Sequence, residues 1–193
     1  LLMKENDKKK ISLRTQAGIL RAELNDNNLV TINIGQPNFA WKNIPLAKDM
    51  DNKNLKIKIK TIDNKEITGG FSLSVGNPHV VFFVEDLKKF NLEKIGPEIE
   101  NHIFFPEKCN VTLAAIKNKK NIQIKVWERG AGLTKACGTA ACATVVSGAI
   151  LNLNERCTNI EFTKGILNID WKIDNNIYMT GEVSKIKKIT VNI

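Results

Sequence analysis

The sequence predicts a mixed α/β (α+β) fold in which short strands far outnumber helices. Three observations predict it. Most of the chain breaks into short segments rich in Ile, Val, Thr and Phe, separated by Asn, Asp, Gly and Pro. One long run of small apolar residues has no polar face. A loose internal repeat links the two ends of the chain.

The strand candidates, in order, are "KISLRT" (10–15), "LVTINI" (29–34), "LKIKIKTI" (55–62), "HVVFFV" (79–84), "NVTLAAI" (110–116), "IQIKVWE" (122–128), "NIEFT" (159–163), "ILNIDWKI" (166–173) and "KKITVNI" (187–193). Several alternate in polarity, as half-buried strands do. Residues 87–101 predict a surface helix interrupted at Gly96-Pro97. Residues 138–152, "GTAACATVVSGAILN", predict a second helix. It is too long for an ordinary strand and apolar nearly all round, which marks a central buried helix. In the repeat, 9–32 matches 157–180: Gly18-Ile19-Leu20 aligns with Gly165-Ile166-Leu167, and Asn27-Asn28-Leu29 with Asn175-Asn176-Ile177. The second copy follows the helix that Cys137 opens. By analogy "LLMKEN" would be the tail of an equivalent helix, with its start expected upstream of Leu1.

The 193 residues are 42% hydrophobic and 25% charged, with a net charge of +9, ordinary globular composition. The lysines are spread along the chain with no RNA- or DNA-binding motif, so the charge reads as a solvated surface and no nucleic-acid partner is expected. No apolar run reaches the roughly 18 to 20 residues of a membrane span, and the charged start is unlike a signal peptide. The four cysteines (Cys109, Cys137, Cys142 and Cys157) have no paired metal spacing. They read as free thiols in a reducing, cytoplasmic compartment, with no metal site.

Cys137 opens the buried helix among glycines and alanines. A helix N-terminus carries unpaired N–H groups and partial positive charge, which lower a thiol pKa and hold an anionic oxygen. The small neighbours Gly138 and Thr139 leave room for a ligand. Cys137 is therefore expected to be the most reactive thiol; its alternative is a buried structural cysteine. Polar groups also punctuate three apolar stretches. Asn77 and His79 sit on an Asn-Pro turn entering a strand. Asn110 stands just before a strand. Glu128 and Arg129 end a strand ahead of a glycine-rich bend. Singly, these are a turn former, a structural histidine and a surface pair.

Together, "GNPHVVFFV" (76–84), "FFPEKCNV" (104–111) and "WERGAGLTKACGTAACA" (127–143) resemble the diaminopimelate epimerase family. The resemblance covers the whole chain but only about the later two-thirds of the family's length. It implies two pseudo-symmetric barrel-like domains, each with strands around a central helix. Residues 36–180 would form the second domain; residues 1–35 and 181–193 would be the remnant of the first. It implies cofactor-independent interconversion of LL- and meso-2,6-diaminopimelate in lysine and peptidoglycan-precursor synthesis, without pyridoxal phosphate or metal. Two cysteines act on opposite faces of the substrate α-carbon; Cys137 matches the second, and the first would lie upstream of Leu1. Asn77, Asn110, Glu128, Arg129, Gly138 and Thr139 match substrate contacts, and His79 and Glu128 match groups that tune the thiols. Leu133 and Ala140 depart from the usual Glu and Gly. The isolated chain is expected to be inactive, and family members are often homodimers. Other readings are a related amino-acid isomerase of the same fold, a cysteine hydrolase with a Cys137–His79 dyad, and a non-enzymatic remnant.

Overall fold

A computed structural model describes residues 9–15 and 18–183. The described strands are β1 (Lys10–Thr15), β2 (Gly18–Leu24), β3 (Val30–Gly35), β4 (Ile57–Lys60), β5 (Glu66–Gly69), β6 (Phe71–Ser74), β7 (Pro78–Phe83), β8 (Asn110–Asn118), β9 (Asn121–Glu128), β10 (Gly132–Thr134), β11 (Cys157–Phe162), β12 (Gly165–Trp171) and β13 (Ile177–Gly181). The α-helices are α1 (Leu92–Glu100) and α2 (Gly138–Ile150). The mixed, strand-rich class is the one the sequence predicts. The segment 187–193 lies outside the described residues, and the closing strand expected over 181–193 is described only to Val183.

One sheet runs β1-β2-β3-β13-β12-β11-β9-β8-β7-β6, and β4 pairs with β5 in a separate hairpin. β11 pairs in parallel with Asn121–Gln123 at the start of β9. β10 pairs with Val126–Glu128 at its end, and β8 takes the opposite edge. Apolar residues reach both faces of the middle strands. On β7, Val81 faces the core around α2, whereas Val80 and Phe82 face a second core around α1 and β4. A strand buried on both sides reads as a continuous apolar run, which is why "HVVFFV" shows no alternation.

α2 is buried from Ala140 to Gly148. Its polar side chains are satisfied within the helix: Thr144 donates to the Ala140 carbonyl and Ser147 to the Ala143 carbonyl, each at 2.8 Å. It ends two residues earlier than expected, at Ile150. Asn152 there takes a left-handed φ of 58°; its N–H reaches Ala149 O and that of Leu153 reaches Gly148 O, closing the last turn.

The predicted 87–101 helix is corrected. A short 3-10 turn at Leu87–Lys89 precedes α1, which runs unbroken through Gly96 and Pro97. Pro97 removes one N–H, but Leu92, Ile95 and Ile99 are buried along one face and hold the helix on the sheet. Gly96 is a contact rather than a breaker: a Cβ there would lie 2.6 Å from Trp127 Cγ.

The internal repeat is real, with its turn register corrected by one residue. Both copies are three-stranded antiparallel meanders, β1-β2-β3 and β11-β12-β13. Gly18 matches Gly165, and the left-handed turn residue Asn28 (φ 61°) matches Asn175 (φ 65°), so the copies stand 147 positions apart throughout. The consecutive asparagines let the sequence alignment slide; only the left-handed position fixes it. The meanders meet where β3 pairs antiparallel with β13: Thr31 opposite Thr180, Ile32 opposite Met179, Asn33 opposite Tyr178. A shift of 147 maps Thr31 onto Tyr178, Ile32 onto Met179 and Asn33 onto Thr180, so this register is that of a pseudo-two-fold axis through Ile32 and Met179. Thr31 and Thr180 hydroxyls bond across it at 2.8 Å.

The copies differ in cover. Ile160 in β11 is fully buried beneath α2, whereas its counterpart Leu13 in β1 is 38% exposed. Ile160→Ala is therefore expected to cost about 2–5 kcal/mol, and Leu13→Ala under about 1 kcal/mol, measured by urea unfolding.

Candidate active site

Cys137 is the N-cap of α2, with extended backbone (φ −146°, ψ 112°) and no side-chain cap bond. The first N–H groups of a helix have no intrahelical partner, so this end remains polar although the helix is buried. Cys137 is 7% exposed, and Thr139 Oγ1 lies 3.5 Å from its sulfur. Burial pushes the thiol pKa up; Thr139 and the Ala140 N–H oppose this, and the Glu128 carboxylate adds to it. The sequence expectation of a lowered pKa is thus reversed: desolvation outweighs the helix terminus, and Cys137 rests as a thiol at neutral pH. Gly138 faces Met179, with the position of a Cβ 2.7 Å from its sulfur. The mouth of α2 therefore sits against the pseudo-two-fold axis.

Asn77 joins two of the expected residues to this mouth. Its amide N–H donates to Thr139 Oγ1 at 3.4 Å, and its Oδ1 lies 2.9 Å from His79 Nε2. Since Oδ1 only accepts, Nε2 carries the proton. His79 is fully buried and its pKa is lowered to about 3, first by desolvation and then by the Arg129 charge; it is neutral across the ordinary pH range. Its ring bond goes to Asn77 and none is made to Cys137, so the Cys137–His79 dyad has no hydrogen bond in this structure.

The third stretch is the bend after β9. Gly130 and Gly132 take φ of 75° and 82°, which favour glycine. Asn110, at the start of β8, is buried and uses both ends of its amide: it donates to Pro78 O at 2.9 Å and accepts from Arg129 N–H at 3.0 Å. It thereby ties the Asn77-Pro78 turn to the Glu128-Arg129 pair. The exposed Arg129 guanidinium donates to Glu107 O at 2.9 Å, and Glu128 is half-buried beside Cys137. The departures Leu133 and Ala140 fall respectively on the exposed face of β10 and in the buried first turn of α2.

Sequence reasoning missed two contributors. Met179 at the axis gave no signal. Glu100, buried at the end of α1, accepts from Trp127 and from Gly130. Its signal was an acidic residue at a helix C-terminus, where the macrodipole disfavours negative charge. Among the described residues, no three His, Cys, Asp or Glu side chains group to hold a metal ion, and no helix is long and apolar enough to cross a membrane.

A sequence profile of the diaminopimelate epimerase family matches residues 71–186. The diaminopimelate epimerase of Pelagibacter ubique is 53% identical over 193 residues, covering all of this chain and 70% of its own length. That of Methylorubrum populi is 41% identical over 175 residues, 90% of this chain and 59% of its own length. Among solved structures, a hydroxyproline epimerase from Agrobacterium vitis superposes with a TM-score of 0.60 at 13% identity, over 90% of this chain and 56% of its own. A Bacillus anthracis phenazine biosynthesis protein of the PhzF family gives 0.62 at 14%, over all of this chain and 73% of its own. These two establish likeness of fold.

Two outcomes follow from the burial of these side chains. Cys157 is exposed whereas Cys109, Cys137 and Cys142 are buried. Burial raises the pKa of Cys109 and Cys142, the latter to about 12. Iodoacetamide at neutral pH is therefore expected to label Cys157 first, Cys137 more slowly and the other two last, by peptide mass spectrometry. This order differs from the one expected from sequence, in which Cys137 reacts first. His79, neutral when folded, takes up a proton near 6.5 when unfolded, so the unfolded state binds more protons as pH falls. Its contribution is complete above that pH and is lost progressively as pH drops toward 3, by about 1.4 kcal/mol per pH unit. His79→Gln is expected to flatten the acid limb of stability by that slope, measured by urea unfolding.

Proposed function

Because the chain belongs to the diaminopimelate epimerase family, we propose that it supplies one of two opposed acid–base thiols to a cofactor-independent epimerase acting on LL- and meso-diaminopimelate. The observation that carries this reading is the thiol of Cys137 at the polar mouth of a buried helix, beside Asn77, Thr139 and Glu128, against the pseudo-two-fold axis. The free N–H groups of α2 receive the substrate α-carboxylate and the charge that gathers on it when the α-proton leaves. Asn77 and Thr139 fix its orientation. Glu128 and Arg129 meet the distal ammonium and carboxylate.

In the reaction one Cα–H bond breaks and its proton passes to a thiolate on one side. The carbanion takes a proton from the thiol on the other side, and the centre inverts with no net oxidation. Cys137 rests protonated, so in the resting form it is the donor and its opposite number is the base. After one turnover the roles exchange, and Glu128 beside the sulfur favours the reprotonated thiol. Neutral His79 orients Asn77 and transfers no proton. The biosynthetic setting, lysine and peptidoglycan precursors in the cytoplasm, suits the free thiols.

A second thiol is needed. Among the described residues, Cys109 and Cys142 are buried in the core and Cys157 is on the surface of β11; none is available to oppose Cys137. The chain spans 59% to 70% of these curated relatives, and we assign the opposing thiol to the part of the family's length outside it. Residues 1–193 alone are expected to give no LL-to-meso conversion. Joined to an upstream segment bearing the family's first cysteine, they are expected to convert the substrate and, in D₂O, to incorporate deuterium at the α-carbon. Cys137→Ala then lowers the rate by at least about 10². Robust inversion by residues 1–193 with Cys137 as the only thiol in the site contradicts the two-thiol reading.

A further inference from the structure

Glu100 has no part in the chemistry above, yet its carboxylate is held out of water next to the residues that do. The residue is 5% exposed. Burying a carboxylate is costly unless its oxygens are bonded, and the end of a helix adds to the cost. Both oxygens are used. Oε2 accepts from the Trp127 indole N–H at 2.6 Å, and Oε1 accepts from the Gly130 backbone N–H at 3.0 Å. Lys108 Nζ stands 4.0 Å away.

Gly96 lies one turn earlier on the same face of α1, and the Trp127 indole fills the space a Cβ would occupy there. Gly132 lies by the outer end of the same ring, the position of a Cβ 3.5 Å from it. Trp127 immediately precedes Glu128 and Arg129, and Gly130 immediately follows them. The two N–H groups that Glu100 binds therefore bracket the pair.

We propose that Glu100 is a positioning residue. Its buried carboxylate clamps both ends of the Trp127–Gly130 segment to the end of α1, and so sets the direction in which Glu128 and Arg129 face the site. Asn110 holds the same segment from the other side through Arg129 N. The assignment rests on the reading of Glu128 and Arg129 as substrate contacts. Glu100 acts through them without touching substrate.

E100Q tests this, because a neutral amide keeps the size but has one accepting oxygen for two donors. In the active protein of the preceding section, E100Q is expected to raise KM for diaminopimelate about tenfold with kcat changed less than about threefold. W127F, which removes the Oε2 bond and trims the ring against Gly132 but leaves the Oε1 bond to Gly130, is expected to raise KM about threefold and keeps the test available if E100Q does not fold. A lower Tm with KM unchanged in the folded variants overturns the proposal and leaves Glu100 a structural anchor. If the parent protein shows no epimerase activity, the reading of the site fails separately. The clamp is then judged on residues 1–193 from the ¹H–¹⁵N resonances of the Gly130 and Arg129 amides. Movement or broadening of both in E100Q upholds the clamp, and unchanged resonances overturn it.

Discussion

A helix with no polar face must be enclosed, and α2 is enclosed by the sheet that curves from β6 to β13. It shares one core with Leu73 and Val81, with Ile122, Ile124 and Val126, and with Ile160, Ile169 and Ile177. This enclosure creates the site. A helix interior satisfies its own backbone, but its first turn does not, so α2, buried from Ala140 onward, presents its half-buried start at Gly138 and Thr139 as a polar end. Cys137 stands at the one end of the helix where polarity survives. The same enclosure sets its charge: desolvation holds it as a thiol despite the helix terminus, Thr139 and the Ala140 N–H.

The second core, on the opposite face, directs the site from outside. α1 lies there on Leu92, Ile95 and Ile99. Gly96 brings Trp127 against its backbone, and Glu100 binds the bend beyond. Asn110 spans from Pro78 to Arg129 through the layer between. The Asn77 turn, the Glu128-Arg129 bend and the mouth of α2 are thus fixed by groups that are themselves buried. Preorganisation of this kind suits the proposed removal of a proton from a weakly acidic carbon.

Much of this was legible in the sequence for physical reasons. The strands announced themselves by β-branched runs, and α2 by its length and all-round apolarity. The residues of the site stood out as polar groups in apolar surroundings. What failed to show had causes as well. Gly96-Pro97 reads as a break because local propensity cannot register the indole that Gly96 accommodates. The repeat slipped by one residue because Asn27 and Asn28 are interchangeable until a left-handed φ picks one. The thiol pKa was expected to fall because the helix terminus is visible in sequence and the depth of burial is not. Likewise nothing local distinguishes His79 bonded to Asn77 from His79 bonded to Cys137. The division into a 1–35 remnant and a 36–180 domain came from resemblance. The pairing of β3 with β13 shows how the two meanders join, in one continuous sheet across that boundary.

Enclosure and the neighbouring Glu128 carboxylate hold Cys137 as a thiol. The pH dependence of its alkylation rate, followed at the Cys137 peptide by mass spectrometry, tests this most directly. The rate should still be rising as pH passes the ordinary thiol value of 9.0, and Glu128→Gln should move the rise to lower pH. A rate that levels off below about pH 8, under the ordinary range of a free thiol, or that ignores Glu128→Gln, contradicts the account.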